Sequence, residues 1–249
     1  MEYTYLGRTG LKISRLCLGT MNFGPRTEEK DAFRILDMAL DAGINYIDTA
    51  NIYGSLHGTH ENNHTGWTEE ILGRWFAQGG QRRERVILAT KVYCNMKDPA
   101  EGPNGDGNSA YKISRLPELE VLPAAKELGI AFLPWSPLHG GYLSGTMMNR
   151  HAGSRGAEEF AAHLSEAQKQ QLLQYESLCT DIGESQADVA LAWLLRNPGV
   201  TAPIIGPRTD RQLESALHAA EIKLSDDVLK ELDRIFPGPG GEAPEAYAW

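Results

Sequence analysis

Apolar residues recur along the chain with two distinct periods. Over residues 27–42, TEEKDAFRILDMALDA, the positions Ala32, Phe33, Leu36, Ala39 and Leu40 are spaced so that they share one face of a helix. Thr27 and the two glutamates after it suit a helix N-terminus, where negative charge meets the positive end of the helix dipole, and Gly43 stops the helix. A different pattern follows. Residues 44–48, INYID, are a short apolar run closed by an acid, and RVILATKVY (85–93) is dense in branched apolar side chains. Both read as strands. Between them TEEILGRWFAQGG (68–80) returns to the helical period and ends on a glycine pair.

The rest of the chain keeps this alternation. YTYLGRTGLKIS near the N-terminus reads as a hairpin about its GRTG turn, and RLCLGTMNFG (15–24) as a buried strand ending in glycine. ELEVLPAAKELG (118–129) is helical and IAFLPWSPL (130–138) is a strand. SEAQKQQLLQYESLCTDIG (165–183) opens on a capping box of Ser165 and Gln168, and QADVALAWLLRNPG (186–199) is a second helix. TAPIIGP (201–207) is a short strand, and the segments 211–222 and 225–236 are closing helices. The stretch 94–109 and the tail PGPGGEAPEAYAW are too rich in polar residues, glycine and proline for regular structure. Strands alternating with helices predict an α/β fold with a parallel sheet, whose chemistry gathers at the C-terminal ends of the strands. The length of 249 residues suits one such domain spanning residues 1–249.

Composition narrows the function classes. The net charge is −9 and the densest basic stretch is RRER at 82–85, so the chain is a poor candidate for nucleic-acid binding. The three cysteines, Cys17, Cys94 and Cys179, form no C-x-x-C pair, which argues against a disulfide framework or a thiolate metal cage and suits a reducing cytoplasm. No apolar signal core follows Met1, and no apolar run approaches a bilayer span. His57, His60 and His64 lie in HGTHENNH, a Gly/Asn-rich loop without the rigid ligand set a zinc site needs, so no metal is expected.

The strand ends carry the candidate chemistry. One ends in Gly19-Thr20-Met21, the next in Asp48 with Tyr53 on the loop beyond it, and a third in Lys91. A free phenol titrates near ~10, too high for a good proton donor at neutral pH. A neighbouring ammonium favours the phenolate, and a carboxylate holds that ammonium in place. Asp48, Lys91 and Tyr53 could therefore form a tuned general acid that protonates a carbonyl oxygen while hydride reaches its carbon. The spacing supports equally well a structural ion pair with Tyr53 packed on a loop.

Six phrases in order resemble the aldo-keto reductases: GLKISRLCLGTMNFG, GINYIDTANIYG, TEEILGRWF, VILATKVY, PWSPLHGGYLSG and IIGPRTDRQLESAL. The resemblance runs along nearly the whole chain and is closest to the bacterial branch whose members end in tryptophan. It implies a (β/α)8 barrel of the TIM type, NADPH as cofactor, and reduction of a small-molecule aldehyde or ketone to an alcohol. It implies Tyr53 as the acid, Lys91 as its modulator and Asp48 as the group orienting Lys91. For the cofactor it implies Gly19, Thr20 and Met21 near the nicotinamide, and Trp135, Ser136 and Leu138 on the pyrophosphate loop. Gly206 and Pro207 would also contact the cofactor, Arg208 would pair with its 2′-phosphate, and Gln212 would meet the adenosine. Ser215-Ala216 stands where many relatives carry Glu-Asn, which implies weaker adenine contacts.

The resemblance also exposes a gap. The family's fourth catalytic member is a histidine after the fourth strand in a phrase like DLYQ-x-H, and none of the seven histidines sits in such a context. The phrases that grip the nicotinamide are missing too. NSAYKISR (108–115) resembles the start of the third barrel helix and LPELEVLPAAKELG (116–129) the start of the sixth, so the seam lies near Arg115-Leu116. Three βα units, on the order of ninety residues, are skipped. Five barrel strands remain recognisable, at 15–21, 44–48, 85–92, 130–135 and 201–205, which in the family would be neighbours. A chain without the histidine and the nicotinamide clamp is expected to turn over poorly. The alternative is a non-catalytic nucleotide-binding or interaction protein, similar to channel-associated β subunits of the same fold.

Overall fold

The computed structural model describes residues 1–54, 64–91, 121–145 and 164–237. In chain order the strands are β1 (Tyr3–Tyr5), β2 (Lys12–Ser14), β3 (Cys17–Gly19), β4 (Tyr46–Asp48), β5 (Ile87–Ala89) and β6 (Ile204–Ile205). The helices are α1 (Glu29–Asp41), α2 (Trp67–Ala77), α3 (Val121–Leu128), α4 (Glu166–Asp181), α5 (Gln186–Arg196), α6 (Asp210–Ala219) and α7 (Asp226–Ile235). The chain divides into two compact units: Met1–Pro117 with Ile204–Glu214, and Glu118–Pro203 with Ser215–Trp249.

The first unit holds the sheet. β1 and β2 form the expected antiparallel hairpin, and the other four strands form one parallel sheet in the order β5-β4-β3-β6. This is the neighbour order the sequence implies for the first three strands and the last. α1 buries Ala32, Ile35, Leu36, Ala39 and Leu40. Ile35 takes the place expected for Phe33, which is only partly covered. The helix starts at Glu29, and its N-cap Glu28 makes no side-chain cap. Thr27 belongs instead to the turn before it, where its amide donates to the Asn22 carbonyl at 2.9 Å and it bridges Phe23. That turn buries Phe23 completely, so Phe23 is core. Trp75 is also core; its indole N–H donates to Asp37 Oδ1 at 2.9 Å, and Arg82 holds the same carboxylate while lying over the ring.

β3 and β6 approach so closely that glycine is required between them. A Cβ on Gly19 would lie 2.7 Å from Ile204 Cγ2 and 3.1 Å from the Ile205 carbonyl. Pro203 lacks an amide donor, so regular pairing in this segment is confined to Ile204–Ile205 rather than the whole of 201–205.

The second unit differs from expectation at residues 130–135. They form no strand ladder. Phe132 accepts from the Thr201 amide at 2.8 Å and donates its own amide to Thr201 Oγ1 at 3.0 Å. A side-chain hydroxyl thus takes the place of the next backbone rung, and Pro134 has no amide with which to extend the pairing. α4 opens on the expected Ser165–Gln168 capping box. Its Tyr175 and Cys179 pack with Val189 of α5 and Leu232 and Ile235 of α7, and Trp193 lies against this cluster. α5 stops at Arg196, two residues before Pro198.

Gly19→Ala should lower stability by about 1–3 kcal/mol, because the added methyl meets a packed strand rather than solvent; a denaturant midpoint equal to that of the wild type would contradict the close β3–β6 approach. Burial pushes the Cys17 thiol up, and the Cys179 thiol up to about 11. Both should therefore resist a thiol reagent in the native chain at neutral pH and react once denaturant is added.

Candidate active site

The parallel register builds the site. Asp48 at the end of β4 stands opposite Gly19 of β3 and Ala89 of β5. The Asp48 carbonyl accepts from both the amide and the hydroxyl of fully buried Thr20, at 3.1 and 3.0 Å. Beyond the sheet, the Thr49 amide donates to the Ala89 carbonyl at 2.9 Å and the Asn51 amide to the Lys91 carbonyl at 3.1 Å. The two chain segments are thereby laced together past their last ladder rung.

Within this frame Lys91 Nζ donates to Asp48 Oδ2 at 2.6 Å and to the Thr49 carbonyl at 2.8 Å. The same nitrogen lies 5.2 Å from the centroid of the Tyr53 ring. The structure thus brings together the carboxylate, the ammonium and the phenol that the sequence singled out. The Asp48 side chain is only 14% exposed, against 46% for Lys91, so one pole of the pair is anchored and the other reaches toward solvent. The Thr49 carbonyl is a partner that sequence reasoning missed, because a backbone acceptor leaves no residue signature. Tyr46 also lies near Asp48, but burial, with Cys17 and Asp48 adding to it, pushes its hydroxyl up to about 12. It is a poor proton donor at neutral pH.

Tyr53 is held by its neighbours. Its amide donates to the Ala50 carbonyl at 3.1 Å, closing a turn, and its carbonyl accepts from the Thr68 amide in the first turn of α2 at 3.4 Å. Gly54 follows with φ +114° and packs against Trp67, and Gly24 with φ +96° lies against the Trp67 indole. Trp67 therefore fills the wedge between these two glycine turns at the start of α2. It stacks on His64, which pairs with Glu70 at 3.0 Å. His57 and His60 lie outside the described residues.

At the end of β6, Gly206, Pro207 and Arg208 lead into α6. The Asn22 amide side chain donates to the Gly206 carbonyl at 3.0 Å, and the Arg208 amide donates to Gln212 Oε1 at 2.7 Å. Gln212 thus organises this turn. The Arg208 guanidinium is held below its usual range by burial and by the charge of Arg26. In the second unit, the segment with Trp135, Ser136 and Leu138 is a tight turn: Ser136 and His139 carry φ values of +50° and +49°, and Trp135 is 78% exposed. Such φ values are costly for residues with a Cβ and recur at functional turns. Met21 is partly covered, beside buried Asn22.

Ser215, which departs from the family pattern, has its own task in the second unit. Its hydroxyl donates to Asp188, a buried carboxylate in the first turn of α5. Nearby, His218 Nε2 pairs with Glu184 Oε2 at 2.9 Å. A cleft of about 520 Å³ opens beside this pair, lined by Ile182, Glu184, His218, Glu221, Leu224 and Val228; it does not include Asp48, Tyr53 or Lys91.

Comparison with known proteins settles the class. The Aldo/keto reductase family model matches residues 15–115 and 107–236. The chain is 43% identical to an uncharacterized oxidoreductase, YrpG, of Bacillus subtilis (strain 168) over 334 positions that cover 100% of each chain. It is 22% identical over 326 positions to a probable voltage-gated potassium channel subunit beta of Oryza sativa subsp. japonica, covering 94% of this chain and 96% of that one. Against a protein of the same description from Arabidopsis thaliana it is 23% identical over 340 positions, covering 99% and 100%. The chain belongs to the aldo/keto reductase family. It is an oxidoreductase with an incomplete (β/α)8 fold, in a family that works with a nicotinamide dinucleotide on small-molecule carbonyl compounds. The 334 aligned positions exceed the 249 residues of the chain by 85, so a stretch of that order in YrpG has no counterpart here. The two family matches meet at 107–115, beside the seam read at Arg115-Leu116. No helix among the described residues is long and apolar enough to cross a membrane.

The His218 ring should titrate above the usual value of about 6.5. The hydrogen bond that the ring donates to Glu184 dominates this shift, with the charges of Glu184, Asp188 and Glu221 adding to it. The sign follows: the pair favours the folded state while His218 is charged, and this contribution fades as pH rises through the raised value. An NMR titration should show Glu184→Gln moving the midpoint down; an unmoved midpoint would contradict the pairing.

Proposed function

We propose that the chain, as one domain over residues 1–249, is an NADPH-dependent carbonyl reductase in which Tyr53 is the general acid. The observation carrying this reading is the Lys91 ammonium, bound to Asp48 at 2.6 Å and facing the Tyr53 ring at 5.2 Å. The residues at the end of β6 fit the phosphorylated end of the dinucleotide: Arg208 is partly buried and has no carboxylate partner among the described residues. A helix start follows at Asp210, where backbone amides favour an anion. When bound, the dinucleotide supplies the hydride.

The chain's own groups do the rest. Tyr53 donates its hydroxyl proton to the carbonyl oxygen as charge develops there. The Lys91 ammonium stabilises the phenolate left behind, and Asp48 keeps that ammonium in place. Thr20 and Thr49 hold the Asp48–Lys91 geometry through backbone bonds. Because the family histidine and the nicotinamide clamp have no counterpart in the sequence, turnover should be orders of magnitude below that of a complete family member.

A second reading rests on the channel-subunit relatives at 22% and 23% identity: a dinucleotide-binding interaction protein without turnover. NADPH oxidation with a simple aromatic aldehyde, measured beside a fluorescence titration of NADPH, separates the two. Slow turnover that falls a further hundredfold or more in Tyr53→Phe, with NADPH affinity unchanged, supports the reductase. Binding without any oxidation supports the second reading, and no binding overturns both.

A further inference from the structure

The second unit gathers one imidazole and two carboxylates around the start of α5. Glu184 directly precedes the helix cap Ser185, Asp188 lies in the first turn of α5, and His218 lies in the last turn of α6. One nitrogen or oxygen from each side chain falls within 4.8 Å of the other two. His218 Nε2 and Glu184 Oε2 are already 2.9 Å apart. No short motif marks the group, because these two residues are 34 positions apart in the chain.

Asp188 adds an independent sign. It is only 5% exposed, yet among the described residues its carboxylate has a single hydrogen-bond donor, the Ser215 hydroxyl. A carboxylate offers about four lone-pair sites, and burying it with most of them unmet is costly. The His218 ring does not meet this need, since it is bonded to Glu184. The cleft of about 520 Å³ opens at the same place, lined on its polar side by Glu184, His218, Glu221 and Lys223. Three carboxylates therefore stand around the ring against one ammonium, an imbalance that a divalent cation would offset.

We propose that Glu184, Asp188 and His218 hold one divalent cation of the zinc type, with its remaining positions open to the cleft. An imidazole nitrogen beside carboxylate oxygens suits zinc better than magnesium or calcium, which take oxygen ligands. Bonds of about 2.0–2.1 Å put neighbouring ligand atoms roughly 3 Å apart. The His218–Glu184 pair already has that separation. On binding, the proton between His218 Nε2 and Glu184 passes to solvent, and the ring nitrogen gives its lone pair to the ion. Ser215 keeps its place behind Asp188 and orients that ligand. The ion thus clips the start of α5 to the end of α6.

Calorimetric titration of zinc chloride into the untagged, chelator-treated full chain tests this without any dinucleotide or turnover. One ion per chain should bind and raise the thermal midpoint. His218→Gln and Glu184→Gln, both at side chains that reach solvent, should each weaken zinc binding roughly a hundredfold. Ser215→Ala should weaken it about tenfold. Magnesium at the same concentration should leave the zinc in place. A wild type without saturable zinc binding overturns the inference. Binding that survives both substitutions unchanged also overturns it, because the ion then sits elsewhere, and so does displacement by equimolar magnesium. The zinc-free variants should keep the far-UV circular dichroism of the wild type; zinc binding lost only together with that spectrum counts against the site.

Discussion

The ion pair between Asp48 and Lys91 is the constraint around which the first unit is arranged. It forms because β3, β4 and β5 run parallel in a register that ends them side by side. An aspartate that is 14% exposed would be costly without its cation, so a slip of either strand would leave it unpaired. The amide and hydroxyl of Thr20 and the amides of Thr49 and Asn51 act against such a slip by bonding across strands just where the ladder stops. Packing, register and chemistry are therefore one problem at this end of the sheet.

Much of this was legible in the sequence, for stated physical reasons. The sequence pattern located α1 through α7 within a few residues, most directly α1, which buries the single stripe Ala32, Ile35, Leu36, Ala39 and Leu40. The acid at the end of INYID and the lysine after VILAT marked the strand ends that meet. What the sequence concealed were contacts made by atoms every residue shares. The Thr49 carbonyl on Lys91 and the Asn22 bond to Gly206 arise only once the chain is folded. Residues 130–135 misled for a related reason. Their apolar content suits a strand, yet a strand is defined by its partner, and here the partner offers Thr201 and then a proline. Thr27 misled because it closes the preceding turn, its amide bonded to Asn22 and its carbonyl to Gly24, which leaves it one residue short of the N-cap at Glu28.

The missing stretch gives the chain its particular character. The family matches stop and resume at 107–115, and the compact units divide after Pro117. The motifs on both sides of that point are whole: the Asp48, Tyr53 and Lys91 group before it, the Gly206–Gln212 turn after it. What the sequence lacks, by its resemblance to the family, is the histidine phrase and the phrases that grip the nicotinamide. In the proposed reading this separates proton delivery and binding of the dinucleotide's far end from the alignment of the reacting atoms.

Gly54 has a consequence out of proportion to its size. It contributes no functional group, yet its left-handed backbone and its contact with Trp67 fix the direction in which the chain leaves the phenol. A Cβ there would lie 2.2 Å from the His64 carbonyl oxygen and 2.7 Å from Trp67 Cβ, so the turn beside Tyr53 has room for a hydrogen and for nothing larger.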